Sequence, residues 1–110
     1  MGNTVPPEID DIVSIIKTTK PQKIFLFGSH AAGVGDKDSD IDLLIVAPSD
    51  DSPLERRLKL RRILKKYDRL FGIDLLVYTP DEFDLLKDEP SSFIFSSLKN
   101  GIKLYDTESR

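Results

Sequence analysis

Apolar positions along the chain change rhythm several times, and each change marks an element. Ile9, Ile12, Val13 and Ile16 recur at three- and four-residue steps, the spacing of one helix face. That helix is predicted from Pro6 or Pro7 to about Thr18, because proline suits a first turn whose N–H needs no helical partner. Lys23 to Phe27 (KIFLF) is an apolar run of strand length, closed by Gly28. Ser29, a good N-cap, is expected to open a brief helix. Gly33 to Ser39 is a polar, glycine-containing loop. Ile41 to Ala47 (IDLLIVA) is apolar on both faces, as a central strand in a covered sheet should be.

The second half repeats the alternation. Ser52, Pro53 and Glu55 form a capping-box pattern and open a helix expected to reach about Leu70. Leu54, Leu58, Leu60, Ile63, Leu64, Tyr67 and Phe71 would make its apolar side, and Gly72 its stop. Ile73 to Tyr78 (IDLLVY) is a third strand. Thr79, Pro80 and Glu82 repeat the capping signal before a short helix. A further helix is predicted from Pro90 to Asn100 with Gly101 as C-cap, then an edge strand from Ile102 to Tyr105. This order predicts one compact α/β (α+β) domain over residues 1–110, with 1–5 and 107–110 as loose termini. Its core would be a small mixed sheet of three to four strands with helices packed against it.

Composition narrows the chemistry. The 110 residues include no cysteine, which excludes disulfides, zinc thiolates and thiol catalysis. The formal net charge of -3 argues against nucleic acid as a direct ligand, since such binders carry a basic excess. The polar, proline-bearing start does not fit a signal peptide, and no apolar run approaches the roughly 20 residues of a membrane span. The cytoplasm is the expected compartment.

The chemical signal concentrates in residues 27–46, FGSHAAGVGDKDSDIDLLIV. Gly28–Ser29 sits where a strand turns into a helix, and exposed amides plus the helix dipole suit such a junction to phosphate. Asp40 and Asp42 are one residue apart at the start of a strand, so both carboxylates point the same way. Their repulsion calls for a cation, and oxygen ligands of this kind suit Mg²⁺ or Mn²⁺. Asp36 and Asp38 read as a solvated acidic turn. Asp74, near the start of the third strand, reaches the same cluster if the second and third strands are neighbours. A third carboxylate would complete a two-metal site and draw a proton from an acceptor hydroxyl.

FGS, a glycine-bearing loop and SDIDLLIV together resemble the signature of the DNA polymerase beta superfamily of nucleotidyltransferases. FGIDLLVY resembles the strand that brings in that superfamily's third aspartate. The length, the early motif and the late GIKLYD resemble its smallest members, the MNT-domain proteins. The resemblance implies that Gly28 and Ser29 bind the phosphates of ATP or another NTP. It implies that Asp40 and Asp42 hold two metal ions and that Asp74 ligates the catalytic one and assists as base. Ser39 would orient the Asp40 carboxylate or touch a phosphate, the plain alternative being a turn residue. Many MNT proteins carry arginines after the Gly-Ser, whereas here His30-Ala31-Ala32 follow. His30, the sole histidine, would reach phosphate or else sit on the helix surface, and Lys37 could add charge.

MNT proteins are commonly paired with a HEPN-type toxin, which implies a protein partner that receives AMP. One alternative is an antitoxin that masks its partner with little or no catalysis. A small-molecule nucleotidyltransferase is another, although the chain is short for such an acceptor pocket. Arg56, Arg57, Lys59, Arg61, Arg62, Lys65, Lys66 and Arg69 crowd the third helix. They read as a solvated face or as a docking surface for an acidic partner or nucleic acid. The acidic late segment gives an opposite pole that would equally support a homo-oligomer.

Overall fold

The computed structural model describes residues 8–34, 40–68 and 72–108. Among these, four strands and six helices alternate: α1 (Glu8–Lys17), β1 (Lys23–Phe27), α2 (Gly28–Ala31), β2 (Ile41–Val46), α3 (Pro53–Ile63), α4 (Lys65–Asp68), β3 (Ile73–Tyr78), α5 (Pro80–Leu86), α6 (Phe93–Asn100) and β4 (Ile102–Asp106). The strands form one mixed sheet in the order β3-β2-β1-β4. β1 is antiparallel to both β2 and β4, while β2 and β3 run parallel. The expected mixed sheet is therefore present, with β2 inside it and β4 on an edge.

Helices cover both faces. On one, Ile9, Ile12 and Ile16 of α1 and Leu60 of α3 pack on Ile24, Leu26, Leu43 and Ile45. On the other, Phe83 of α5 and Ile94 of α6 pack on Phe25, Leu44 and Val46, with Phe25 and Phe83 stacked at 5.9 Å. Successive strand side chains alternate faces, so a strand buried on both sides is apolar throughout, as β2 is after Asp42.

Both capping boxes are formed. Ser52 Oγ accepts from the Glu55 N–H at 3.2 Å, and Thr79 Oγ1 accepts from the Glu82 N–H at 3.2 Å. The long third helix departs from expectation. It breaks at Leu64, whose N–H is shared between the Leu60 and Arg61 carbonyls at 3.2 and 3.1 Å. Tightening the turn there puts both Leu64 and Tyr67 into the core. The expected end near Leu70, and Phe71, lie outside the described residues. Leu54, Leu58 and Ile63 are 56%, 43% and 42% exposed, so only part of the expected apolar side is buried.

Arg56 also departs from the solvated reading. Its guanidinium lies against Glu82 at 2.8 and 3.3 Å and donates to the Asp51 and Val77 carbonyls. Gly101 follows α6 in extended conformation (φ -86), not the left-handed one. Glycine is needed there because a Cβ would lie 2.6 Å from the Ser97 carbonyl oxygen and 3.0 Å from that of Leu26.

Candidate active site

Three strands deliver the site to one end of the sheet. β1 ends at Phe27, and the chain turns through Gly28 (φ 75) into α2. Ser29, expected from the sequence to be the N-cap, is not the cap. Gly28 and Ser29 are already helical, Phe27 is the cap, and no side chain caps the helix. The amides that open a helix have no partner within it.

Register then aligns the carboxylates. Phe27 pairs with Asp42 across β1 and β2, and Asp42 pairs with Asp74 across β2 and β3. Paired residues share a face, so Phe27, Asp42 and Asp74 form a row. Because β2 and β3 are parallel, an aspartate at the second position of each arrives at the same end. The Ile41 N–H donates to the Gly72 carbonyl at 2.9 Å, which brings Asp40 alongside Gly72. The sequence thus placed all three aspartates at one end of adjacent strands, and the fold does so.

Two glycines make room for these carboxylates. A Cβ on Gly28 would collide with Oδ2 of Asp42, and one on Gly72 with Oδ1 of Asp40. From sequence Gly72 reads only as a helix stop. Its second task depends on strand pairing, which the sequence alone does not reveal.

Electrostatics at the row is unfavourable in the bare protein. Burial, then a hydrogen bond to Asp74, then the charges of Asp74 and Asp40 push Asp42 up to about 6. His30 pulls the other way. Its side chain is only 2% exposed, so it is not the surface residue that one of its two readings expected. Ser39 and Lys37 lie outside the described residues. Among the described residues, no group of three or more acidic, histidine or cysteine side chains stands ready as a metal-holding cluster. The acidic oxygens nonetheless have the donor chemistry of a hard divalent cation, and like charges this close ask for one.

A cleft of about 320 Å³ opens over the row, lined by Asp42, Asp74, Phe27, Phe93, Arg57 and Arg61 among others. Phe27 and Phe93 meet edge to face at 5.4 Å. The two arginines were not singled out from the basic helix in the sequence. Nothing local separates them from the rest, because Arg61 and Lys65, Arg62 and Lys66, and Lys65 and Arg69 share their four-residue spacing.

Residues 9–104 match the nucleotidyltransferase domain family. The chain belongs to that family. Among solved structures, this nucleotidyltransferase domain is similar to a protein of Sulfolobus solfataricus described as a nucleotidyltransferase (20% identity, 92% of this chain and 79% of the other, TM-score 0.63). It is also similar to a toxin–antitoxin crystallised with AMP-PNP (23% identity, 90% and 73% covered, TM-score 0.62). A third is a mutant MntA-HpeT toxin–antitoxin with two aspartates replaced by glutamate (21% identity, 90% and 73% covered, TM-score 0.61). At these identities the likeness establishes the fold alone, that of a nucleotidyltransferase domain. No curated protein matches the chain. No helix among the described residues is long and apolar enough to cross a membrane.

Proposed function

We propose that this nucleotidyltransferase domain moves a nucleoside monophosphate, AMP from ATP, onto a hydroxyl of a partner protein such as a HEPN-type toxin. The observation that carries the reading is the register that sets Asp42 beside Asp74, with Asp40 over Gly72. Asp40, Asp42 and Asp74 would hold two Mg²⁺ or Mn²⁺ ions. When bound, such ions supply charge neutralisation at the attacking and leaving oxygens. The amides of Gly28 and Ser29 cradle the β and γ phosphates. Ser39, which precedes Asp40 in the sequence, would orient that carboxylate or touch a phosphate. His30, whose charge acts on Asp42, would steady that carboxylate or reach a phosphate. Asp74 takes the proton of the acceptor hydroxyl as its oxygen bonds to the α-phosphorus and pyrophosphate departs. The toxin–antitoxin neighbour with AMP-PNP supports both a nucleotide and a protein partner.

The second reading, masking without catalysis, is favoured by one departure. His30 and Ala32 stand where the resembled pattern has arginines, and positive charge beside a leaving pyrophosphate speeds transfer. Incubation with α-labelled ATP, Mg²⁺ and the co-purifying partner separates the two. Label on the partner is the expected result. A tight complex that stays unlabelled would leave masking as the function.

A further inference from the structure

Sheet order gives the site a direction. Across it run the Gly28–Ser29 turn after β1, Asp42 on β2 and Asp74 on β3, the strand against which α3 packs. Arg57 thus enters the cleft from the helix that packs on β3, the strand of Asp74, and a group that meets it there comes from the acceptor.

The same edge carries a second hollow. A groove of about 480 Å³ runs between α3 and α5 over β3, lined by Pro53, Leu54, Tyr78 and Leu86 among others. Arg57 and Leu76 line both this groove and the carboxylate cleft, so the two adjoin. Leu54, Arg57 and Arg61 follow one another at i, i+3 and i+7, one stripe of α3. Leu54 is 56% exposed although apolar. Arg57 is also exposed, unlike Arg56 one residue earlier, which Glu82 engages.

We infer that this groove seats the acceptor as a polypeptide segment. An apolar side chain lies against Leu54 and Leu86, a carboxylate meets Arg57, and a serine or tyrosine hydroxyl reaches Asp74. The inference rests on the transferase reading above. Of the two arginines that line the groove, Arg56 is engaged by Glu82, so apolar walls beside the exposed Arg57 match a peptide with one acidic residue. A nucleic acid would need basic residues along its whole path. An arginine fork reads a carboxylate in two parallel hydrogen bonds, which fixes register as well as adding attraction.

The test uses the full isotope-labelled chain and two synthetic peptides. Each carries tyrosine and a neighbouring leucine, with either glutamate or lysine beside the tyrosine. The amides of Leu54, Leu76 and Leu86 should shift, and the glutamate peptide should bind about tenfold more tightly than the lysine peptide. Arg57→Glu, at an exposed position, should invert that preference, and Leu54→Asp should weaken both peptides. Equal binding of the two peptides, shifts elsewhere, or a short single-stranded RNA taking the groove instead would each overturn the inference. Mg-ATP titrated separately keeps the two readings apart. Nucleotide binding with no peptide in the groove leaves the transferase standing and removes this docking site. Peptide in the groove with no nucleotide binding removes the transferase, and with it the groove's role for an acceptor.

Discussion

β1 joins two ends of the sheet that treat carboxylates in opposite ways. At its Lys23 end, Asp106 accepts from Lys23 and Lys103 at 3.2 Å each and from the Glu108 N–H at 2.9 Å. The backbone hydrogen bond first, then these ammonium groups, hold Asp106 down to about 2. At its Phe27 end, Asp42 lies beside Asp74 and Asp40 and is pushed up to about 6. One carboxylate is neutralised by the chain itself. The other is crowded by its own kind, and two glycines are given up to fit the crowd in. A fold able to solve the problem at one end leaves it unsolved at the other, which marks the second end as waiting for charge from outside.

Breaking the crowded end should have the largest effect. Asp42→Asn removes a charge while keeping the shape, so metal-dependent label transfer should fall on the order of a thousandfold. The unliganded protein should melt at a higher temperature than wild type, because the repulsion is relieved. Full activity in Asp42→Asn would sink the mechanism.

Gly72→Ala should do less. Its methyl displaces the Asp40 carboxylate without touching the core, so Mg²⁺ affinity by calorimetry should drop about tenfold with the circular dichroism spectrum unchanged.

Titration sharpens the contrast further. Asp42 has a folded value of about 6 against an ordinary 3.8. Between those values the folded chain keeps a proton that the unfolded chain has lost, so stability falls as pH rises through this window. The penalty is complete above the folded value and absent below the unfolded one. Mg²⁺ should therefore raise the melting temperature clearly at about pH 8 and little at about pH 5, where a proton already serves. An equal rise at both would contradict the origin assigned to the shift.

The smallest change belongs to the neutralised end. Asp106 is held low, so its contribution is present above its unfolded value and lost as pH falls through about 2. Asp106→Asn should lower the melting temperature only slightly near neutrality, with no effect on transfer. A loss of transfer in this variant would mean the two ends are coupled.

Much of this was legible in the chain. The three main strands and both capping boxes follow from local rules: apolar runs of strand length, and Ser or Thr three residues before Glu. The aspartates were legible because their position within a strand fixes the face they occupy. What escaped depends on pairing between distant segments. Gly72 reads as a helix stop until Asp40 is seen above it. Arg56 and Arg57 are adjacent and chemically identical in the sequence. One turns inward to Glu82 and the other lines the site, which only the position of α5 decides. The break at Leu64 arises from the core claiming two side chains of one helix, a demand that no local propensity announces.

Glu82 accepts from the Thr79 N–H at 2.9 Å to cap α5 and from Arg56 to hold α3. One carboxylate thereby clamps both jaws of the apolar groove, and the Arg56 bond to the Val77 carbonyl ties the clamp to its floor. The gap between the jaws is preset by that brace. A visitor has to arrive with the right breadth, and little of its binding energy is spent prising the walls apart.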